Sequence, residues 1–125
     1  MPDLTIRLPA VPRSVPQARQ AIDRLVGELD PQQLEALRLL VSEMVTNSVR
    51  HAEGAETVDV RLWLGRGVVR LEVEDRGPGF MPRGVPGEGG GWGLVLVDRL
   101  ARRWGVRSGP ATTVWLELDR YASTV

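Results

Sequence analysis

The sequence predicts an α/β (α+β) two-layer sandwich, in which a mixed, mostly antiparallel sheet is covered on one face by about three helices. Three observations predict it. Segments 57–64 (TVDVRLWL) and 68–74 (VVRLEVE) alternate apolar and polar residues around Gly65-Arg66-Gly67, the pattern of a hairpin buried on one face. Leu34, Leu37, Leu40, Val41, Met44, Val45 and Val49 recur at helical spacing. Shorter segments at both ends of the chain carry strand or helix patterns that complete the two layers.

Taken in order, residues 4–8 (LTIRL) alternate and read as a strand. A proline-rich connector, PAVPRSVP, follows, and Ser14 is placed to cap a helix over residues 15–29. Asp30-Pro31 is a helix start, a capping carboxylate followed by proline at the first helical position, and this second helix runs to about His51. The hairpin comes next. Residues 75–93 then hold eight of the 14 glycines and three of the nine prolines, and a structureless stretch this long inside a compact domain is usually functional. Leu94, Val97, Leu100 and Ala101 restore helical spacing over residues 93–104, and a last strand over 113–118 follows the turn at Ser108-Gly109-Pro110.

Composition narrows the function classes. A chain of 125 residues suits one domain, and no apolar run approaches the roughly eighteen residues of a membrane span. The N-terminus lacks the layout of a signal peptide, so a cytoplasmic protein is the simplest expectation. Without cysteine there is no disulfide, thiolate metal site or cysteine nucleophile. The 16 basic and 16 acidic residues balance, which argues against charge-driven nucleic-acid binding. All the basic residues are arginine. A Walker-type phosphate loop, which needs its lysine, is therefore excluded.

Three constellations can carry chemistry. Glu43, Asn47 and His51 are spaced by four, and Asn47 and His51 are the only asparagine and histidine of the chain. On a helix they drift ~80° over about 12 Å, at the edge of the apolar face. A carboxylate there can accept a proton, and a carboxamide oxygen suits Mg²⁺ held jointly with phosphates. The same side chains also read as the wet edge of a surface helix. Asp75-Arg76-Gly77-Pro78-Gly79 follows a strand directly, so Asp75 points into any cleft beyond the sheet edge while Gly77 and Gly79 let backbone approach a ligand. It reads as an ordinary turn too. Gly87-Glu88-Gly89-Gly90-Gly91-Trp92-Gly93-Leu94 opens into a helix, where bare amides make an anion site. A dinucleotide fingerprint is ruled out, because no βαβ unit surrounds it.

Their order is more specific than any one of them. E-x-x-x-N-x-x-x-H on a helix, D-x-G-x-G after a strand and G-x-G-L opening a helix resemble the N, G1 and G2 boxes of the ATP-binding domain shared by histidine kinases, DNA gyrase and the ninety-kilodalton heat-shock chaperones. The match covers about residues 34–118. VSEMVTNSVRHA, VEDRGPGF and GWGLVLVDRLARRWGV resemble its smallest branch, the anti-sigma-factor serine/threonine kinases of bacteria.

The resemblance implies one ATPase-type domain over residues 1–125, with a flexible ATP lid at about 80–90. It implies that Asn47 coordinates the Mg²⁺ bridging the phosphates of ATP, that Glu43 is the general base, and that His51 lies near the phosphate or ribose. It implies that Asp75 accepts a hydrogen bond from the exocyclic amine of adenine, with Gly77 and Gly79 clearing the base. Gly91 and Gly93 would bring amides to the phosphates, Leu94 completing that block, and Thr113 would supply the hydroxyl that supports Asp75. The implied partners are a STAS-type anti-anti-sigma protein and a sigma factor, with a homodimer as the assembly and neither direct nucleic-acid nor membrane binding. Trp63, on the outer face of the hairpin, is a candidate contact residue.

Two departures stand out. The lid segment has Arg83 as its one basic residue, and Thr112 stands where relatives often have lysine. The alternative reading is a switch that binds ATP and a protein partner without catalysis. A detached sensor-kinase catalytic domain fits less well, because the sole histidine is already assigned to the nucleotide site.

Overall fold

The computed structural model describes residues 1–51, 56–75 and 92–121. Along the chain they form β1 (Leu4–Pro9), α1 (Ser14–Ile22), a 3₁₀ turn (Asp23–Leu25), α2 (Pro31–His51), β2 (Thr57–Leu64), β3 (Val68–Asp75), α3 (Trp92–Leu100), β4 (Arg103–Arg107) and β5 (Thr112–Asp119). The five strands make one sheet in the order β1-β2-β3-β5-β4. Every pairing between these five strands is antiparallel, so the parallel component allowed by the expected mixed sheet is not found among them.

Period-two alternation sorts the sheet into two unlike faces. Val58, Val60, Leu62, Val69, Leu71, Val73, Val114, Leu116 and Leu118 point inward and are buried. They meet Leu37, Leu40, Val41, Met44 and Val45 of α2, Ala18, Ala21 and Ile22 of α1, and Leu94 and Val97 of α3. Helix α2 therefore runs across the middle of the sheet, with α1 on one flank and α3 on the other. No described helix is long and apolar enough to cross a membrane.

The outer face is a lattice of arginines and carboxylates. Arg7 donates to Asp59 at 2.8 Å, Arg70 to Glu72 at 3.0 Å and Glu117 at 3.1 Å, and Arg107 to Glu72 at 3.2 Å. Arginine stems cover the carboxylates, which leaves Asp59 and Glu72 buried on the face without helices. Trp63 is half-buried there and pairs in register with Arg70, so it is less open than a contact residue was expected to be. Arg70 stacks over the Trp115 ring at 4.5 Å, and that ring lies against Gly105, where a Cβ would come within 2.8 Å of it. The Trp104-Gly105 pair is thereby explained. Trp104 points inward to the core, and Gly105 makes room for Trp115 outside.

Three expected elements differ. The first helix stops at Ile22 rather than reaching residue 29, because Val26 leaves the helical region and Gly27 takes φ +91°, which favours glycine. Leu25 and Leu29 are buried all the same, and Arg120 holds this bend by donating to the Glu28 carbonyl at 2.6 Å. Ser14 is the first residue of α1 rather than its cap, and its hydroxyl donates to the Pro9 carbonyl at 2.6 Å. The third helix ends at Leu100, and the Arg102 amide already donates to Glu117 across the sheet. Residues 103–107, partly assigned to that helix, form the edge strand β4.

Candidate functional site

The site is built where the C-terminal half of α2 lies over the end of β3. Asp75 is the last residue of β3, on the inner face with Val69, Leu71 and Val73, and is only 2% exposed. It takes a position in which an apolar residue would be expected. Its Oδ1 has no hydrogen-bond partner among the described residues. Burial, only partly offset by the Ser48 hydroxyl, raises the carboxyl to about 7. Leaving a buried acceptor unmade costs ~1–3 kcal/mol, so an open carboxylate oxygen here points to a ligand that completes it.

Helix α2 supplies the other wall. Glu43 and Asn47 are half-buried at the edge of its apolar stripe, one turn apart, as their spacing requires. Glu43 also lines an open cleft of about 320 Å³ with Arg19, Glu35, Arg38, Leu39 and Ser42. Ser42 ties the two helices there, accepting from Arg19 Nε at 2.9 Å and donating to the Arg38 carbonyl at 2.9 Å. Ser48, next to Asn47, is buried. The helix that carries Glu43 and Asn47 packs against β3, the strand that ends in Asp75. His51 is the last residue of α2, and its side chain lies outside the described residues.

Thr113 is a correction. The register pairs Asp75 with Thr112 and Glu74 with Thr113, and adjacent residues of a strand face opposite ways. The Thr113 hydroxyl donates to Glu74 Oε2 at 3.4 Å on the outer face. The threonine beside Asp75 is Thr112, 4% exposed on the inner face. Sequence reasoning did not place Thr112 beside Asp75, although counting by twos from Leu118, Leu116 and Val114 reaches position 112.

Leu94 is buried in α3 and holds the start of that helix against the core. Helix α3 begins at Trp92, so Gly93 lies in its first turn, where backbone amides lack partners within the helix. Gly77, Gly79 and Gly91, the lid at 80–90 and Arg83 lie outside the described residues. Among those described, no group of three or more His, Asp and Glu side chains is placed to hold a metal ion. Asn47 fits Mg²⁺ only as a co-ligand with phosphate oxygens. The open Oδ1 of Asp75 fits a donor such as an exocyclic amine.

The class to which this two-layer fold belongs comes from comparison with known families. The profile of the histidine kinase-like ATPase domain matches residues 8–118, and the chain belongs to that family. Among solved structures it is similar to the RsbU and RsbW domains of Rv1364c from Mycobacterium tuberculosis, with TM-score 0.74 and 24% identity over 99% of this chain. The chain spans 35% of the length of that polypeptide. It is also similar to the catalytic domain of histidine kinase ThkA, with TM-score 0.57 and 11% identity over 95% of this chain and 99% of that one. Acinetobacter baumannii histidine kinase AdeS gives TM-score 0.56 and 11% identity, over 94% and 68% of the two chains. These likenesses concern the fold. No curated protein sequence matches.

Proposed function

We propose that the chain is an ATP-binding regulatory protein acting as a serine/threonine protein kinase of the anti-sigma type. Its substrate is a small STAS-type anti-anti-sigma protein, and in its other bound state it sequesters a sigma factor. The observation that carries the reading is the buried Asp75 carboxylate with its open Oδ1, at the end of the strand against which the helix bearing Glu43 and Asn47 packs. Family membership over residues 8–118 supports it independently.

Asp75 accepts from the adenine amine, Thr112 lines the base beside it, and Asn47 holds Mg²⁺ together with the phosphates. The metal supplies charge neutralisation, the main requirement of phosphoryl transfer. Glu43, half-buried one turn before Asn47, is the general base for the attacking protein hydroxyl. The hydroxyl oxygen bonds to the γ-phosphorus as the bond to the ADP oxygen breaks, and the hydroxyl proton passes to Glu43. His51, Gly77, Gly79, Gly91 and Gly93 complete the nucleotide contacts, under a lid at 80–90. On this reading the protein is cytoplasmic and homodimeric.

Incubation with Mg-ATP and a panel of STAS proteins tests the proposal. Labelled phosphate passes to one of them, and Glu43→Ala lowers that transfer by ~100-fold or more. Equal transfer by the variant removes Glu43 from its role. A second reading, an ATP-dependent binding switch without catalysis, is favoured by the single basic residue of the lid segment. ATP uptake with no transfer to any partner selects it.

A further inference from the structure

Among the described residues the sheet has two open edges, β1 on one side and β4 on the other. An open edge strand is a template for pairing with another chain unless something blocks it. The two edges differ in how well each pairs with a second copy of itself. Antiparallel self-pairing of β4, centred on Gly105, sets Arg103 against the partner's Arg107 in both halves. These side chains are 66% and 57% exposed, and like charges directly opposite disfavour pairing. That edge is guarded.

β1 carries no such guard. The Ala10 amide donates to the Glu56 carbonyl at 3.1 Å, in line with the register that pairs Leu8 with Val58 and Ile6 with Val60. Even-numbered residues of β1 therefore turn their backbone groups to β2, and the exposed Thr5 and Arg7 turn theirs outward. This outward ladder is short. Before it, the Asp3 amide turns back to the Leu62 carbonyl at 2.8 Å. After it, Pro9 has no N–H, and its carbonyl already accepts from the Val11 amide and the Ser14 hydroxyl. Centring two copies on Ile6 uses what remains. Thr5 exchanges both backbone bonds with the partner's Arg7, and Arg7 does the same with the partner's Thr5. The inner face is then apolar throughout, with Ile6 against the partner's Ile6 and Leu4 against the partner's Leu8. The half-buried Ile6 and Leu8 gain cover at the edge. No like charges stand directly opposite, and each Arg7 keeps its own Asp59 at 2.8 Å.

We propose that β1 is the surface through which two copies of this chain associate, antiparallel about a twofold axis at Ile6, joining two five-stranded sheets into one. This deepens the homodimer of the reading above and uses no part of its phosphoryl chemistry.

Analytical ultracentrifugation of the full chain tests it, together with single cysteine substitutions. Wild type sediments at twice 13.8 kDa. Thr5→Pro removes an outward N–H without touching a bond to β2, and Thr5→Arg copies onto β1 the arginine guard of β4. Both variants sediment at 13.8 kDa with the circular dichroism spectrum of wild type, and the second serves if the first does not fold. The chain has no cysteine of its own, so a single one links only across copies. Ile6→Cys, at a non-hydrogen-bonded pair with Cα atoms ~4.5 Å apart, gives a disulfide-linked dimer under mild oxidation. Leu8→Cys, about 14 Å from its equivalent, does not. A dimer that persists in the folded Thr5 variants, or equal linkage through Leu8→Cys, overturns the β1 interface and leaves a homodimer standing. Wild type at 13.8 kDa at every concentration overturns both. Calorimetry of Mg-ATP binding on the same samples reports separately on the nucleotide reading.

Discussion

Thr112 stands directly across from Asp75 on the inner face of the sheet, while its neighbour Thr113 donates to Glu74 on the outer face. Only one of the two hydroxyls can serve the site. Thr112→Val is expected to weaken ATP binding about tenfold, the scale of a hydrogen bond to a charged group. Thr113→Val leaves it unchanged. Calorimetric titration of both variants checks this, and the reverse pattern would restore Thr113 to the site.

Asp75 also makes a prediction about stability. Its folded value of about 7 lies above the ordinary 3.8, so between these values the folded protein holds a proton that the unfolded chain has released. Stability therefore falls as pH rises from about 4 to about 7, and the penalty persists above that range. Asp75→Asn removes it. The variant is expected to be more stable than wild type by roughly 3 kcal/mol at pH 8, with the difference vanishing near pH 4. Urea unfolding at the two pH values measures it. A residue that lowers stability while remaining in place is the signature of a functional site.

Gly105→Ala places a methyl group 2.8 Å from the Trp115 ring, which is held on its other side by Arg70. The expected loss is about 1–3 kcal/mol, the usual scale of overpacking. Thermal unfolding checks it. Adding Trp115→Leu to Gly105→Ala should cost less than the sum of the two single changes, since they share one contact.

Arg120 joins three separate parts of the chain. Its guanidinium donates to the Glu28 carbonyl at 2.6 Å and the Gly65 carbonyl at 2.8 Å, and its own amide donates to Gly67. Arg120→Met keeps the stem and the backbone amide and removes the guanidinium donors. We expect a loss of ~2 kcal/mol, measurable by chemical denaturation, with ATP affinity unaffected because none of these contacts reaches Asp75.

Much of this was legible in the sequence. The β2–β3 hairpin and α2 were clear because alternation and helical spacing each ran over many residues with turn or cap signals at their ends. Strand β4 was hidden because Trp104 lies three residues beyond Ala101, and so continues a helical pattern that the backbone abandons at Leu100. The first helix was overextended because Leu25 and Leu29, spaced like one helical face, are buried by a bend at Gly27 instead. Glu43, Asn47 and Asp75 were read as candidates from motif order. Thr112 was passed over because a slip of one residue in a strand changes the face, and only pairing with β3 fixes which face is inner.

The most direct test is calorimetric titration of Mg-ATP into the wild-type protein and Asp75→Asn at pH 8, with unfolding curves for both. Saturable binding by wild type and a loss of ~100-fold or more in a variant that is at least as stable would establish Asp75 as the base-recognising group. Equal binding by the two, or none by wild type, would contradict the nucleotide site proposed here.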